Sequence, residues 1–178
     1  MVKLSHSANA AKTDATDQGT ESCTIRLPTH AACDKQASMP PPDLVVTDTI
    51  SPDIQRAIGG GLDSFNAAMT GISDFKSLAV VVKDPATGEA LGGAIGRSSL
   101  GLLFLDLFYL PEAMRGAGLG TAVLRAFEEE GRKRGCRAGV LYTISFQAPG
   151  FYERNGWRRF GEIASKPGIS RIFMTKEL

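Results

Sequence analysis

The strongest constraint on the fold of this chain is a run of glycines at alternate positions between an apolar segment and a helical one. Gly116, Gly118 and Gly120 follow the apolar residues 101–110 and lead into residues 119–134, where apolar side chains recur at helical spacing. Glycine lets the backbone approach a ligand closely, and the first N–H groups of a helix have no partners within it. With the positive end of the helix dipole, this turn predicts a binding site for a pyrophosphate.

Two other glycine-rich phosphate loops fit this turn less well. A dinucleotide-binding turn follows the first strand of a strand–helix–strand unit, with an acidic residue about twenty positions later. Here the turn follows a later strand, and its spacing from Arg115 is R-x-x-G-x-G. A Walker loop needs Gly-Lys-Ser/Thr, which the chain lacks. Glycines that serve only a tight turn are the remaining alternative.

The N-terminal residues 1–42 differ in composition from the rest of the chain. They are rich in Ala, Ser, Thr, Asp and Lys, show no lasting apolar periodicity and end in the run Met39-Pro40-Pro41-Pro42. Such a segment cannot bury enough apolar surface to offset the entropy lost on ordering. We therefore expect a disordered leader at 1–42, with a regulatory or partner-binding tail as the alternative, and one folded domain at 43–178.

The pattern of the folded part predicts alternating strands and helices. Strands are expected at 44–46, 78–83, 90–98, 101–110, 139–144, 157–163 and 170–176, and helices from Ser51 to a break at 59–61, then at 62–69, 119–134 and 149–155. A hairpin that feeds a strand–helix–strand unit implies an α/β fold. We expect a mixed central sheet of about six to seven strands with helices on both faces.

Charge and reactive side chains argue against several functional classes. The formal net charge is only +1, which gives no sign of a nucleic-acid-binding surface. Both histidines lie in the leader and the three cysteines have no metal-type spacing, so no metal site is expected in the folded part. The most apolar stretch, residues 100–110, is interrupted by Asp106 and is shorter than the ~20 residues of a membrane helix. The odd cysteine count favours a reducing compartment, and a cytoplasmic location is expected.

Two segments resemble one family. The run Arg115-Gly116-Ala117-Gly118-Leu119-Gly120 resembles the R/Q-x-x-G-x-G/A signature of GNAT acetyltransferases. The run Phe151-Tyr152-Glu153-Arg154-Asn155-Gly156-Trp157 resembles that family's FYxxxGF/W segment, and one helix and one strand separate the two runs as in the family.

The resemblance covers residues 43–178. It implies an N-acetyltransferase that moves acetyl from acetyl-CoA to a primary amine by direct attack in a ternary complex. A small-molecule acceptor is preferred, and a homodimer is compatible with the fold.

The resemblance also implies where acetyl-CoA binds. In the family, the sheet splays beside the strand that precedes the glycine turn, and the pantetheine arm lies in the gap. By position, backbone groups next to the turn would pair with pantetheine and direct an N–H at the thioester carbonyl, while the turn would hold the pyrophosphate. The cofactor-binding residues implied in this way are Phe108, Tyr109, Leu110, Arg115, Gly116, Ala117, Gly118, Leu119, Gly120 and Thr121.

Two residues are expected to be catalytic. Tyr152 matches the family's general acid, whose hydroxyl lies near the CoA sulfur, and the alternative is a tyrosine packed on the core. Asp106 is the carboxylate within the apolar strand, where burial would suit it to act as general base. A structural carboxylate bonded to neighbouring backbone is its alternative. Glu112 and Tyr142 are weaker base candidates, and proton loss through water stays open.

Two functional alternatives remain at this point. A non-catalytic acetyl-CoA-binding sensor or scaffold would carry the same glycine turn, and a protein acetyltransferase would act on N-termini or lysines. The first is distinguished by the absence of amine-dependent release of CoA. The second is distinguished by its acceptor.

Overall fold

The computed structural model describes residues 42–178 and the backbone of Cys23–Ile25. It divides into two units, Met1–Gln55 and Arg56–Leu178. The disordered leader predicted at 1–42 lies outside the described residues, apart from Pro42 and the short strand at Cys23–Ile25, which the sequence pattern did not predict.

The first unit contains a small two-stranded sheet. Strand β1 (Cys23–Ile25) pairs antiparallel with β2 (Leu44–Val46). The strand predicted at 44–46 is therefore confirmed, but its partner is this N-terminal strand and the pair forms a separate sheet. The short helix α1 (Pro52–Gln55) follows. The Ser51 hydroxyl accepts a hydrogen bond from the Ile54 N–H at 3.3 Å, as expected of a helix N-cap.

The second unit begins with a helix at the predicted position, but the break predicted before this helix is absent. A break was expected at residues 59–61, yet the chain forms a π-helix at Arg56–Gly60 that leads directly into α2 (Gly61–Thr70). A glycine lowers the stability of a helix by about 1 kcal/mol, but its backbone N–H can still donate a helical hydrogen bond. The wider π turn can therefore include these glycines. Helix α2 ends at Gly71, which adopts a left-handed conformation, and none of its residues is buried.

The central sheet has six strands. They are β3 (Lys76–Lys83), β4 (Ala90–Ser99), β5 (Leu102–Tyr109), β6 (Ala138–Ile144), β7 (Arg158–Lys166) and β8 (Ile169–Glu177). Their order is β3-β4-β5-β6-β8-β7, and β5 and β6 are the parallel neighbours. The other neighbouring strands pair antiparallel. The predicted α/β fold with a mixed sheet is confirmed.

Two helices complete the second unit and contribute to its core. Helix α3 (Leu119–Lys133) and helix α4 (Pro149–Arg154) lie at the positions that the sequence pattern predicted. The apolar side chains of α3 form one cluster with buried residues of the central strands. The fully buried members include Leu103, Leu124, Phe127 and Met174. No helix in residues 42–178 is long and apolar enough to cross a membrane.

A buried carboxylate joins α3 to the C-terminal strands. Glu128 on α3 is only 2% exposed and accepts hydrogen bonds from Trp157 Nε1 at 2.9 Å and Lys176 Nζ at 2.6 Å. Burying a charge is costly unless it is paired and hydrogen-bonded, and both conditions are met here. This contact fixes α3 against β8 and the start of β7.

Removing this carboxylate should destabilise the fold. We expect Glu128→Ala to lower the free energy of unfolding by about 3 kcal/mol, because Lys176 and the indole N–H would both lose their buried acceptor. Glu129→Ala is the matched control, since Glu129 is the next residue of α3 and its side chain is 57% exposed. That change should cost less than about 0.5 kcal/mol. Urea unfolding of both variants makes the comparison, and equal losses would contradict the role given to Glu128.

Candidate functional site

The sheet opens into a gap between β5 and β6. Their pairing runs from Leu102 opposite Ala138 to Leu105 opposite Leu141 and stops there. Strand β5 continues along β4 as far as Tyr109, and β6 continues along β8 as far as Ile144. Residues 106–109 and 142–144 therefore each have one edge that pairs with no other described strand. This is the splay that the family resemblance implied.

A β-bulge accompanies the point where the strands separate. On β4, Ile95 lies opposite Leu107 and Gly96 lies opposite Leu105, so Asp106 is the extra residue on β5. A bulge bends its strand and increases the local twist. The bend accounts for the separation of β5 from β6 just beyond Leu105.

The glycine turn lies at the end of β5 and opens into α3. Gly116 and Gly118 both have φ of 85°, a left-handed conformation that side-chain-bearing residues rarely adopt. Gly118 is the N-cap of α3 and provides no side chain to bond the first amides of the helix. Arg115 holds the turn against β5 by donating a hydrogen bond from Nε to the Leu110 carbonyl at 2.9 Å. The turn thus presents unpaired helix amides, as predicted.

A cleft of about 890 Å³ lies between the turn, the gap and helix α4. It brings together most of the predicted site residues: Phe108, Tyr109, Leu110, Arg115, Gly116, Gly118, Gly120, Thr121 and Tyr152. Ala117 and Leu119 do not line it, and Leu119 packs against the core instead. The predicted turn and Tyr152 therefore share one cavity, although they are far apart in the sequence.

The cleft is cationic. Arg115, Arg125 and Arg154 line it, and no Asp or Glu of residues 42–178 does. Arg125 and Arg154 have no ion-pair partner among residues 42–178. Neither arginine was predicted from the sequence as a cleft residue. Arg125 lies four residues after Thr121 on the same face of α3, a spacing that could have identified it. For Arg154 the sequence carries no such signal, because only the packing of α4 brings it to the cleft.

Tyr152 combines a packed ring with an available hydroxyl. Its ring makes edge contacts with Phe108, Phe151 and Trp157, at centroid distances of 6.4, 5.1 and 6.3 Å, and the residue is 8% exposed. Its hydroxyl makes no hydrogen bond within the described residues, and the residue lines the cleft. Burial raises the pKa of Tyr152 to about 12. The phenol therefore stays protonated at neutral pH and can serve as a hydrogen-bond donor.

The burial expected for Asp106 is wrong. Its side chain is 44% exposed, and both carboxylate oxygens lie 2.6 Å from Nη1 of Arg97. Asp106 is absent from the cleft lining. The bulge is the physical reason, since it places Asp106 at the extra position of β5 and leaves it beside Arg97 of the adjacent strand.

The weaker base candidates also lie outside the cleft lining. Glu112 belongs to a short 3₁₀ turn before the glycines and does not line the cavity. Tyr142 lies on β6, with its ring 6.0 Å from that of Phe173 and the Arg171 guanidinium 5.0 Å above it. In the part of the chain that the structure describes, the cavity is therefore lined by hydrogen-bond donors and cations but by no carboxylate.

The chain is similar to known acetyltransferases. Residues 66–178 match the family model of the acetyltransferase (GNAT) domain. The chain is 33% identical over 121 residues to acetyltransferase Atu2258 of Agrobacterium fabrum, and the match covers 68% of this chain and 88% of that protein. It is 39% identical over 93 residues to blasticidin-S acetyltransferase of Streptomyces morookaense, covering 51% of this chain and 68% of that protein.

Solved structures of acetyltransferases also superpose on this chain. A crystal structure from Agrobacterium tumefaciens, described as an acetyltransferase, superposes with a TM-score of 0.69 at 31% identity and covers 76% of this chain and 98% of that one. An acetyltransferase structure from Bacillus cereus has a TM-score of 0.62 at 27% identity, with coverage of 75% and 97%.

The raised pKa of Tyr152 has a consequence for stability at alkaline pH. The unfolded chain releases this proton above about pH 10, whereas the folded protein keeps it until about pH 12, so stability falls as the pH rises between these values. The loss of folding free energy from this group is on the order of 2 kcal/mol.

In Tyr152→Phe, urea unfolding should show a shallower decline of the free energy of unfolding over this pH range. Tyr142→Phe, at a half-exposed ring, is the control and should decline as the wild type does. A decline as steep in Tyr152→Phe would contradict the assignment.

Proposed function

The chain belongs to the GNAT acetyltransferase family and is an acetyltransferase, and we propose that it moves the acetyl group of acetyl-CoA to the primary amine of a small molecule. The observation that carries the proposal is the charge of the cleft. Among the described residues, three arginines and no carboxylate line it, although the whole chain has a formal net charge of only +1. Such a local excess suits a ligand with several phosphate groups.

The residues of the cleft fit acetyl-CoA along its length. The unpaired amides at the start of α3, with the positive end of the helix dipole, suit a pyrophosphate. Arg125 and Arg154 add charge beside it, and the unpaired edge of β5 next to Tyr109 offers backbone groups to the pantetheine amides. Acetyl-CoA would supply the activated acetyl thioester. No metal-binding group of three or more His, Cys, Asp or Glu occurs in the described part of the chain.

We propose that backbone N–H groups at the end of β5 stabilise the oxyanion formed when the amine attacks. A donor already directed at developing charge is worth about 3 kcal/mol in other enzymes. Residues 106–109 retain the hydrogen-bonding capacity of the edge that β6 leaves open. The amine attacks directly, so the mechanism needs no enzyme nucleophile.

Tyr152 is proposed to act on the leaving group. Its hydroxyl is protonated at neutral pH and has no hydrogen-bond partner within the described residues. It can therefore donate a hydrogen bond to the departing thiolate. The proton that the amine loses is proposed to leave through water, because no described residue of the cleft lining carries a carboxylate and Arg97 holds that of Asp106.

The small-molecule acceptor is proposed from a relative. The Streptomyces morookaense protein, 39% identical over 93 residues, is named for the acetylation of blasticidin S. The competing proposals are a protein acceptor and a non-catalytic sensor of acetyl-CoA. Release of CoA should be measured with acetyl-CoA and a panel of small-molecule amines and peptides. Amine-dependent release with small molecules would support the proposal. Turnover with peptides alone would favour a protein acceptor, and binding of acetyl-CoA without any turnover would favour the sensor.

The glycine turn can be tested by a matched pair of substitutions. Gly118→Glu should weaken CoA binding at least about a hundredfold, because the new side chain would block the turn and repel the pyrophosphate. Gly135 lies after the other end of α3 with φ of 77°, close to the 85° of Gly118. A Cβ added at either glycine would meet no heavy atom of the described residues within 4 Å, apart from its own neighbours in the chain. Gly135→Glu therefore carries the same backbone strain away from the cleft and should bind CoA normally. Calorimetry measures both, and unchanged affinity in Gly118→Glu would refute the role of the turn.

Tyr152→Phe should lower kcat by about tenfold or more and leave CoA affinity within about twofold, because the hydroxyl would act only as the thiolate forms. Tyr109→Phe is the control, since Tyr109 also lines the cleft but is proposed to act through its backbone. Steady-state kinetics and calorimetry separate the two effects. An unchanged kcat in Tyr152→Phe would assign this tyrosine to packing alone.

A further inference from the structure

Gln147 lies at the mouth of the gap and has no part in the mechanism above. It follows β6 in a tight turn, in which its backbone N–H donates to the Ile144 carbonyl at 2.8 Å. Its side-chain Oε1 accepts the Ile144 N–H at 3.1 Å and the Thr143 hydroxyl at 3.3 Å. Gln147 therefore bonds both backbone polar groups of Ile144.

Those two groups of Ile144 belong to the edge of β6 that faces the gap. The Ser145 N–H donates to the Ser170 carbonyl of β8 at 2.9 Å. Successive residues of a strand direct their backbone groups to opposite edges, so the groups of Ile144 point away from β8 and toward β5. By bonding them, Gln147 closes the end of the open edge of β6.

The same contacts fix the orientation of the Gln147 amide. A backbone N–H can only donate, so the side-chain atom that it meets must be the amide oxygen. The amino group Nε2 is then directed to the other side. It makes no hydrogen bond within residues 42–178, and the residue is exposed and lines the cleft. Two N–H donors are thus available on the β6 side of the cavity.

An uncharged donor at this place suits an amide carbonyl. The phosphate end of the cleft is bounded by arginines, whereas Phe108 and Tyr109 of β5 line the cavity together with Gln147. The pantetheine arm carries two amides, and each carbonyl needs a donor once it leaves water. The Thr143 hydroxyl is not free for this purpose, because it already donates to Oε1.

We propose that Gln147 binds a pantetheine amide carbonyl through Nε2 and so selects for the arm of the co-substrate rather than for its nucleotide. This inference rests on the proposed function. Gln147 is a binding residue that acts opposite the backbone of β5, and its own hydrogen bonds to Ile144 and Thr143 hold the amide in position.

The test compares two ligands in calorimetry. CoA contains the pantetheine arm, whereas adenosine 3′-phosphate 5′-diphosphate retains the phosphates and lacks the arm.

Gln147→Glu keeps the oxygen that accepts from Ile144 and replaces the donor by a second oxygen. We expect it to weaken CoA binding about tenfold and to change the affinity for the truncated nucleotide less than about twofold. Gln147→Met is uncharged, also lacks the donors and should show the same selective loss. Tyr142→Phe, at a ring outside the cleft lining, keeps Gln147 and its contacts and should stay within about twofold for both ligands.

The outcomes separate this inference from the proposed function. A selective loss of CoA affinity in both Gln147 variants supports it. An equal loss for the two ligands, or no loss in a folded variant, overturns the inference and leaves the proposed function intact. Failure of the wild-type protein to bind CoA at all overturns both. Thermal unfolding of each variant identifies any that do not fold, and the comparison is then made on the other variant.

Discussion

The candidate site depends on the separation of β5 from β6 beyond Leu105. Both strands continue with partners on their far sides, so the gap lies between two well-supported strands. An unpaired backbone edge is unfavourable when it is buried, because each N–H and C=O then lacks a partner. Here the open edges border a cleft, where water or a ligand can satisfy them. Gln147 at the end of β6 and the glycine turn at the end of β5 both border this cleft. The bulge at Asp106 is therefore the local irregularity from which the site follows.

The core holds the parts of this site in fixed positions. Helix α3, which presents its first amides to the cleft, is attached in its C-terminal half through Glu128 to Trp157 and Lys176. The Trp157 ring also contacts Tyr152, which in turn contacts Phe108 of β5. The proposed leaving-group donor, the strand beside the gap and the helix of the turn are thus linked through one set of buried contacts. Positioning of this kind is what a reaction needs when the protein contributes orientation and fixed dipoles rather than a covalent intermediate.

The parts of the fold that could be predicted from the sequence are those set by local pattern. The glycine turn, the helix that follows it and the strands on either side were predicted because spacing, helix ends and turn residues act over a few positions. Three features were missed or misplaced. The helix was expected to break at residues 59–61 and instead passes through a π turn. Asp106 was expected to be buried, but a bulge that depends on the register with β4 exposes it to Arg97. The pairing of Cys23–Ile25 with Leu44–Val46 joins residues far apart in the chain, and no local signal indicates it.

The chemistry of the turn follows from residue identity alone. Glycines can adopt a left-handed conformation, and a glycine at the start of a helix has no side chain to cap the first amides. Both features are therefore predictable from residues that are neighbours in the sequence. Two matching segments likewise sufficed to indicate the family. The set of side chains that meet across the cleft, in contrast, depends on tertiary packing. The turn after β6 contributes Gln147, and helix α4 contributes Tyr152 and Arg154. These side chains share a cleft with the glycine turn because β6 and α4 pack beside β5. The physical reason is that a cavity is made by surfaces distant in sequence, whose contact depends on strand order and register, whereas a turn is made by neighbours along the chain.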